Sequence, residues 1–248
     1  MFNQLKSGVK NKFPGAVQAY LSFRTTISDF HYRHFILPKM KQMDPESVFR
    51  WYFKEKQWAG KSGESFSGPG STLEATRLLQ AALPELIQEY DIKSILDIPC
   101  GDGNWISQVD LKVEHYLGAD IVQELVDLNN RREKKGHNRE YHKLNLIKDT
   151  LPKVDLIFCR DCLVHLSDDN VIQALCNIKK SGSQYLLTTT FPDDLINRDI
   201  ITGEWRPINL QCDPFNLPEP VKLILEEQRN DIHRRASLGL WRIDSLPF

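Results

Sequence analysis

The sequence predicts an α/β fold built on a doubly wound, mostly parallel sheet. From residue 94 onwards, short apolar segments that suit buried strands alternate with longer segments that suit helices. This alternation is typical of parallel sheets that carry helices on both faces. We expect strands at 94–98, 116–121, 140–144, 154–160 and 185–189, helices near 103–109, 122–135 and 168–180, and a final strand pair at 221–226 and 238–243. Before the first strand we expect a helix from 73 to about 89, with one apolar face formed by Leu78, Leu79, Ala82, Leu86 and Ile87.

Size and composition support one such domain with an N-terminal attachment. The 248 residues are 41% hydrophobic and 26% charged, which is enough for one α/β core. The 32 basic and 33 acidic side chains nearly cancel, so a broad phosphate-neutralising surface for nucleic acid is not expected. We find neither a run of 18 apolar residues nor a signal-peptide pattern, and expect a cytoplasmic protein without a transmembrane segment.

The N-terminal attachment is expected to be a helical arm over residues 1–57, followed by the main domain at 58–248. Residues 1–43 hold seven Lys or Arg and a single acid, Asp29, with apolar residues at a loose helical spacing. Such a stretch fits a solvated arm packed on the main domain. It also fits a peripheral contact with a membrane face or an acidic partner.

Five cysteines, at positions 100, 159, 162, 176 and 212, are an odd number and fall mostly in apolar patterns. This usage is typical of buried free thiols in a reducing compartment. Cys159 and Cys162 form a C-x-x-C pair, but zinc would require a second pair, and a thioredoxin-like motif would begin a helix. We therefore expect no metal site.

The segment 94–105 predicts a ligand crevice at the ends of the parallel strands. A short buried strand runs into a turn that contains Gly101 and Gly103, and the next strand ends in Asp120. In open parallel sheets, glycines at this position let a nucleotide approach the backbone, and an acid at the tip of the next strand accepts the ribose hydroxyls. Asp120 is placed for that role.

The neighbouring residues indicate which kind of nucleotide fits. A dinucleotide fingerprint would require a glycine at Ile106, and Asp97 would repel a pyrophosphate. An adenosine compound with a cationic, phosphate-free middle suits these residues better. S-adenosylmethionine (SAM), with its sulfonium and amino groups, is such a compound.

The motif LDIPCGDGNW, followed by GADI, resembles the first two motifs of class I SAM-dependent methyltransferases. Pro99 stands where the usual motif has its first glycine. The stretch W-x-x-K-S-G-E-S-F-S-G-P-G-S from Trp58 resembles a lid segment of a bacterial subset that modifies small or sugar-type acceptors. The resemblance, which covers residue 50 to the end, implies a Rossmann-like seven-stranded sheet with an antiparallel last strand.

The resemblance also implies a set of SAM-binding positions. Asn145 stands where many members carry an acid that accepts the adenine amino group, and an amide oxygen can accept it too; an Asn that merely closes a strand is the alternative. The glycine- and serine-rich loop at 60–71 is either a linker or a ligand loop, of which we favour the second. The expected cofactor-binding residues are Trp58, Ser67, Gly68, Asp97, Pro99, Gly101, Gly103, Trp105, Asp120, Ile121, Asn145, Leu146 and Arg160.

The catalytic base is expected among the residues that follow the strand at 154–160, with His165 and Asp161 as the two candidates. In the family this strand end faces the methyl group. His165 can take a proton near neutral pH, and Asp161 is either the alternative base or the acid that orients His165. A packed structural histidine is the competing interpretation.

The segment 190–220 has no periodicity, and loops of this length inside a compact domain are usually functional. Its aromatic and hydrogen-bonding side chains suit a polyhydroxylated acceptor such as a sugar, and Arg206 would clamp a phosphate or carboxylate. A proline-stiffened cover for the sheet edge is the alternative. The expected substrate-binding residues are Asn197, Trp205, Arg206 and Asn209.

We therefore expect a SAM-dependent methyltransferase that methylates an oxygen of a small or carbohydrate-type acceptor, as in polysaccharide or glycoconjugate biosynthesis. A non-sugar metabolite as acceptor, or a non-catalytic SAM-binding or partner-docking protein, are the alternatives. An NAD-dependent oxidoreductase is disfavoured by Ile106 and Asp97. The sequence leaves the oligomeric state open.

Overall fold

The computed structural model describes residues 32–59, 63–133, 138–226 and 236–248. The chain divides into two compact units, Met1–Asp44 and Pro45–Phe248. In the first unit the described part is a π-helical turn, Tyr32–Ile36, followed by helix α1, Leu37–Met40. The rest of the expected basic arm, residues 1–31, lies outside the described residues. No helix in the described ranges is long and apolar enough to cross a membrane.

The second unit contains a seven-stranded sheet in the order β3-β2-β1-β4-β5-β7-β6. Strands β1 to β5 pair in parallel, and β7 is antiparallel to both β5 and β6. The expected Rossmann-like mixed sheet is confirmed. The strands are β1 Ser94–Asp97, β2 His115–Asp120, β3 Arg139–Lys143, β4 Leu156–Cys159, β5 Tyr185–Thr190, β6 Lys222–Leu225 and β7 Ser237–Arg242.

In the described part of this unit, four α-helices accompany the sheet: α2 Pro45–Lys54, α3 Arg77–Glu89, α4 Gln123–Arg132 and α5 Asp168–Lys180. Helix α5 has the predicted bounds because both of its ends are marked in the sequence. The Ser167 hydroxyl accepts the Asn170 N–H at the N-terminus, as an N-cap residue does. Acidic residues in its first turn and lysines in its last turn complement the helix dipole.

Two helix predictions were wrong. The segment 103–109 forms only a short 3-10 turn, Ile106–Gln108, because Gly101 and Gly103 adopt left-handed backbone angles that end any regular helix there. Helix α3 begins at Arg77 rather than at residue 73, since the Thr72 hydroxyl and carbonyl close a separate turn with the residues that follow. Its buried face holds Leu83, whereas Leu78, expected on that face, is 41% exposed.

The sheet separates two apolar clusters, since alternate residues of a strand point to opposite faces. In β1, Leu96 belongs to the cluster that contains the buried face of α5, and Ile95 to the cluster that contains the buried face of α3. Part of the long segment after β5, including Ile208 and Phe215, is buried in the α5 cluster. Helices and this segment leave a cavity at the carboxyl ends of the parallel strands.

Gly239 in β7 makes room for a buried tryptophan, and a side chain there should destabilise the fold. A Cβ atom at Gly239 would lie 2.2 Å from the Trp241 ring, and Trp241 is held by its indole N–H, which donates to the Pro218 carbonyl. We expect Gly239→Ala to lower the free energy of unfolding by about 1–3 kcal/mol, as overpacking commonly does.

Urea unfolding measures this loss. Leu223→Ala, at an exposed position on β6, is the control and should stay within about 0.5 kcal/mol of the parent protein. Equal stability of the two variants would contradict the packing argument.

Candidate active site

A cavity of about 440 Å³ lies at the carboxyl ends of β1, β2 and β4. This volume falls in the range of small-molecule sites. Thirteen of the residues proposed from sequence line it: Trp58, Ser67, Gly68, Asp97, Pro99, Gly101, Trp105, Asp120, Ile121, Asn145, Leu146, Arg160 and Trp205, joined by the two candidate bases Asp161 and His165. Gly103, Asn197, Arg206 and Asn209 are not among the residues that line it.

Asp120, at the end of β2, is held in place by the glycine turn. Its two carboxylate oxygens accept the Gly101 N–H at 3.1 Å and the Val122 N–H at 2.9 Å. Burial raises the pKa of Asp120 to about 6, although these hydrogen bonds oppose the shift. Each oxygen keeps a further lone pair for a ligand donor. A pair of ribose hydroxyls fits this carboxylate.

Gly103 does not line the cavity and supports the turn from behind. Its backbone is left-handed, and a Cβ atom there would lie 3.3 Å from the Asn129 side-chain oxygen. The Asn129 amide donates to the Gly101 carbonyl at 2.8 Å. The predicted role of Gly103 as a ligand contact therefore becomes one of backbone shape, since a second glycine is needed to close the turn.

Asp97, at the end of β1, is a buried carboxylate on the cavity wall. The Tyr116 hydroxyl donates to it. Burial nevertheless raises the pKa of Asp97 to about 7, because desolvation disfavours the charged form more than this bond favours it. A cationic ligand group beside Asp97 would favour the carboxylate, whereas a phosphate would be repelled. The Asp97 carboxylate thus fits a ligand that carries a sulfonium or ammonium group.

Asn145 and Leu146 follow β3 and are both buried at the cavity. The Asn145 side-chain oxygen accepts the Ile147 N–H at 2.9 Å, and the Asn145 N–H donates to Asp149 at 2.8 Å. The amide is thus fixed by a local turn. An adenine amino group would share an oxygen that already has one donor.

The serine loop, defined here as residues 63–73, forms the wall opposite the glycine turn and is fastened to it by Asp102. The Asp102 carboxylate accepts the Ser65 and Ser67 hydroxyls at 3.0 and 3.1 Å and the Phe66 N–H at 2.7 Å. In return, the Ser67 oxygen accepts the Asp102 N–H at 2.8 Å. These contacts, which we call the Asp102 clasp, set the position of Ser67 and Gly68 at the cavity.

Asp102 has a role that its local sequence does not predict. Asp102 stands between two glycines in C-G-D-G-N, and its only signal is an acid facing a run of serines far away in the chain. The close approach also explains why residue 101 is glycine, since a Cβ atom there would lie 2.2 Å from the Ser67 hydroxyl oxygen. Asn104 adds bonds from its amide to Glu64 and to the Ser71 carbonyl.

Arg160, at the end of β4, is a buried cation that connects several parts of the cavity wall. Its guanidinium donates to Glu226 at 2.6 Å and to the Gly70 carbonyl at 3.1 Å, and lies 3.4 Å from an Asp161 oxygen. It also lies 5.9 Å from the centre of the Trp105 ring. These contacts attach the serine loop to β4.

His165 lies in the 3-10 turn Leu163–His165 and faces the cavity. Its Nδ1 is 2.9 Å from the Glu204 carbonyl oxygen. Because a carbonyl only accepts, Nδ1 carries the hydrogen and Nε2 carries a lone pair. Burial lowers the pKa of His165 below its usual value, so the ring is neutral at physiological pH. A neutral imidazole with an available Nε2 can act as a general base.

Asp161 lies between Arg160 and His165 in the chain and adopts a left-handed backbone with φ of 51°. Its N–H donates to the Thr189 hydroxyl at 2.8 Å, which fastens this turn to β5. The partner of His165 Nδ1 is the Glu204 carbonyl and not Asp161, so the structure assigns the orienting role to the backbone of the long loop. Asp161 contributes negative charge near the imidazole.

Two of the four expected acceptor-binding residues bond within the 190–220 loop itself. The Asn197 amide donates to the carbonyls of Asn209 and Asp213, and the Asn209 amide donates to those of Pro192 and Asp194. A segment without regular structure must satisfy its buried backbone groups with side chains. Trp205 does reach the cavity, with its ring edge-on to Phe191.

Arg206 does not line the cavity as a free clamp. The Arg206 guanidinium donates to the Leu163 carbonyl at 3.1 Å and to Asp168 at 2.7 Å. The Arg206 backbone N–H donates to the Val164 carbonyl at 3.0 Å. Arg206 is buried and fixes the turn that carries His165. Its predicted role as a phosphate or carboxylate clamp is not supported by this position.

Within the described ranges, no group of three or more His, Cys, Asp and Glu side chains could hold a metal ion.

The raised pKa of Asp97 makes stability depend on pH. An unfolded Asp has a pKa of about 3.9, so between there and about pH 7 the folded protein holds a proton that the unfolded chain has released. The free energy of unfolding therefore falls as pH rises through this window. Asp97→Asn removes the effect, so the excess of its melting temperature over that of the parent should be larger at pH 8 than at pH 5.

Thermal scans across this range measure the difference, with Asp127→Asn, an exposed position on α4, as the control. A gap that stays constant with pH would show that Asp97 is not the group responsible.

The Asp102 clasp should control how readily the serine loop opens. Asp102→Ala removes several hydrogen bonds to a charged group, each worth about 1.5–3 kcal/mol. Loss of even one corresponds to roughly tenfold faster limited proteolysis within 63–73, when cleavage follows the open population. Asp127→Ala is the matched control. Unchanged cleavage in a variant with normal circular dichroism would argue against the clasp.

Residues 95–182 match the family model described as a methyltransferase domain. Three solved structures share the fold. The N-methyltransferase NodS from Bradyrhizobium japonicum, in complex with S-adenosyl-L-homocysteine (SAH), is 14% identical with a TM-score of 0.58 and covers 80% of this chain and 99% of its own. No curated protein matches the chain at the sequence level.

Magnesium protoporphyrin IX methyltransferase (ChlM) from Synechocystis, with bound SAM, is 12% identical with a TM-score of 0.55 and covers 81% of this chain and 97% of its own. The methyltransferase domain of bacterial CtHen1 is 13% identical with a TM-score of 0.51 and covers 69% and 100%. These likenesses establish the fold, and the family model identifies its central part. The chain thus has the fold of SAM-dependent methyltransferases of known structure, and its residues 95–182 match the methyltransferase-domain model.

Proposed function

We propose that the protein transfers the methyl group of SAM to a hydroxyl oxygen of a small acceptor. The observation that carries the proposal is the 2.9 Å distance between His165 Nδ1 and the Glu204 carbonyl oxygen. Nδ1 therefore donates to this carbonyl, which leaves Nε2 as a base on the wall of the cavity that Asp97 and Asp120 also line. A hydroxyl group must lose its proton on methylation, whereas a neutral amine can attack first, so a positioned base favours oxygen as the acceptor atom.

The cofactor end of the cavity supports SAM as the donor. Asp120 would accept the ribose hydroxyls, and Asp97 would face the cationic methionine portion. Asn145 and Leu146 would border the adenine. Bound SAM supplies an electrophilic methyl group on a positively charged sulfur. The chain's contribution is to position the acceptor oxygen, which is worth much of the barrier in such transfers, and to take its proton at His165.

The class of acceptor depends on which side chains of the 190–220 loop reach the cavity. A carbohydrate-type acceptor, as in glycoconjugate biosynthesis, was expected from the polar side chains of the 190–220 loop. Asn197, Arg206 and Asn209 form bonds to the protein itself, so support for a sugar now rests on Trp205. A non-catalytic SAM-binding protein is disfavoured by the base at the cavity, which binding alone does not need.

Asp120→Ala should weaken SAM binding. The variant loses a charged acceptor for two hydroxyl donors, which corresponds to about 1.5–3 kcal/mol, or roughly ten- to 100-fold in the dissociation constant. Isothermal titration calorimetry measures the change, with Asp127→Ala as the control. Parent-like affinity in a folded Asp120→Ala protein would exclude Asp120 as the ribose ligand.

His165→Ala should lower kcat by about 10² to 10⁴ and leave the SAM dissociation constant nearly unchanged, because the side chain serves the acceptor. In the parent protein, kcat should fall as pH drops through the lowered pKa of His165, and this acidic limb should vanish in the variant. SAH release measured across pH with an accepted substrate gives both quantities.

Asp161→Asn is the comparison for His165→Ala. A smaller rate loss than at His165 fits a supporting carboxylate, whereas a larger loss would move the role of base to Asp161. Retained kcat together with a lower melting temperature in His165→Ala would show that His165 is a packing residue.

A further inference from the structure

The side of the cavity that faces α2 and the serine loop is aromatic. Phe49 and Phe53 project from α2, Phe66 belongs to the serine loop, and Trp58 and Trp205 complete the lining. We call these five residues the aromatic wall. Phe53 and Phe66 meet edge to face with ring centres 6.1 Å apart, a preferred arrangement for aromatic pairs. Together they offer flat, apolar surface at one end of the cavity.

The aromatic wall adjoins the candidate base. The Trp58 ring stacks on Tyr52 at 4.7 Å, with the ring planes 16° apart. The centre of the Trp58 ring also lies 5.2 Å from the centre of the His165 ring. A ligand ring lying against the aromatic wall would therefore place its substituents within reach of the imidazole. Geometry of this kind selects for a flat acceptor whose reacting group is attached to its edge.

The charges of the cavity argue against an anionic acceptor. Asp97, Asp120 and Asp161 line it, and Arg160 is the single Lys or Arg among its described lining residues. The Arg160 guanidinium already contacts Glu226, Asp161 and the Gly70 carbonyl. With Asp97 and Asp120 serving the donor, a phosphate or carboxylate on the acceptor would meet Asp161 and would have to displace existing partners of the arginine.

We propose that the acceptor is an uncharged, planar aromatic molecule that carries a hydroxyl group, that is, a neutral phenol, bound with its ring against the aromatic wall and its hydroxyl at His165. This inference rests on the proposed function. In the reaction, the phenolic oxygen gives its proton to His165 Nε2 and forms a bond to the methyl carbon. The electron pair of the broken S–CH₃ bond stays on sulfur, so that SAM becomes SAH.

The test measures acceptor binding and turnover separately from SAM binding. Calorimetry with SAM alone first establishes the donor site. The protein saturated with SAH is then titrated with catechol and 2-naphthol as phenols, with methyl α-D-glucopyranoside as a neutral sugar, and with glucose 6-phosphate as an anionic sugar, using saturation-transfer NMR. SAH release from SAM is assayed with the same four compounds.

We expect a phenol to bind at least tenfold more tightly than either sugar compound and to support SAH release. Phe53→Ala should weaken phenol binding at least tenfold and leave the SAM dissociation constant within twofold. Phe53→Leu keeps apolar volume without a ring, so its affinity for the phenol should lie between that of the parent and that of Phe53→Ala. Leu223→Ala, on the exposed edge strand β6, is the control and should match the parent in every measurement.

Preferred binding or turnover of either sugar compound, or no phenol binding to the SAH-saturated protein, would overturn the inference. In both cases SAM binding by calorimetry would leave the proposed function standing. Failure to bind SAM would instead contradict the proposed function itself. Phenol binding that is insensitive to Phe53→Ala would place the phenol elsewhere and would also overturn the inference.

Discussion

The attachment of the serine loop to the glycine turn through the Asp102 carboxylate is the interaction on which the rest of the site depends. One buried acid accepts two hydroxyls and a backbone N–H from a segment that precedes it by more than thirty residues. The glycine turn, which holds Asp120 through the Gly101 N–H, is thus joined directly to the serine loop, which carries Gly68. Hydrogen bonds to a charged group are among the stronger ones in proteins, and a segment rich in glycine and serine has little apolar surface of its own with which to hold a position.

A second constraint is the concentration of buried charge at the ends of the strands. Burial raises the pKa of both Asp97 and Asp120, to about 7 and about 6. Burying these carboxylates costs folding free energy. A ligand that brings hydrogen-bond donors or positive charge would offset this cost. Arg160 compensates part of this charge and at the same time joins β4 to the serine loop. Stability lost at a site in favour of ligand binding is a common compromise in proteins, and the buried charge here fits that pattern.

The long segment after β5 acts on the site chiefly by holding the turn that carries His165. The Glu204 carbonyl fixes the His165 tautomer, the Gly203 N–H donates to the His165 carbonyl, and Arg206 holds the preceding turn. Side chains that suggested acceptor recognition instead satisfy buried backbone groups. The aromatic wall supplies most of the apolar surface at this end of the cavity, which favours the proposed flat, apolar acceptor over a polyhydroxylated one.

The sequence by itself determined the parallel sheet, the bounds of α5, the glycine turn and the acid at the tip of β2, because each follows from periodicity, caps or special backbone angles within a short stretch. It also located Asp161 and His165, since residues that follow a buried strand lie at its carboxyl end. Only the tertiary structure decided which polar side chains line the cavity. Asn197, Arg206 and Asn209 were expected there and Asp102 carried no predicted role, because hydrogen-bond partners distant in the chain leave no local pattern. Burial and pairing across the fold, which residue type does not encode, assign those roles.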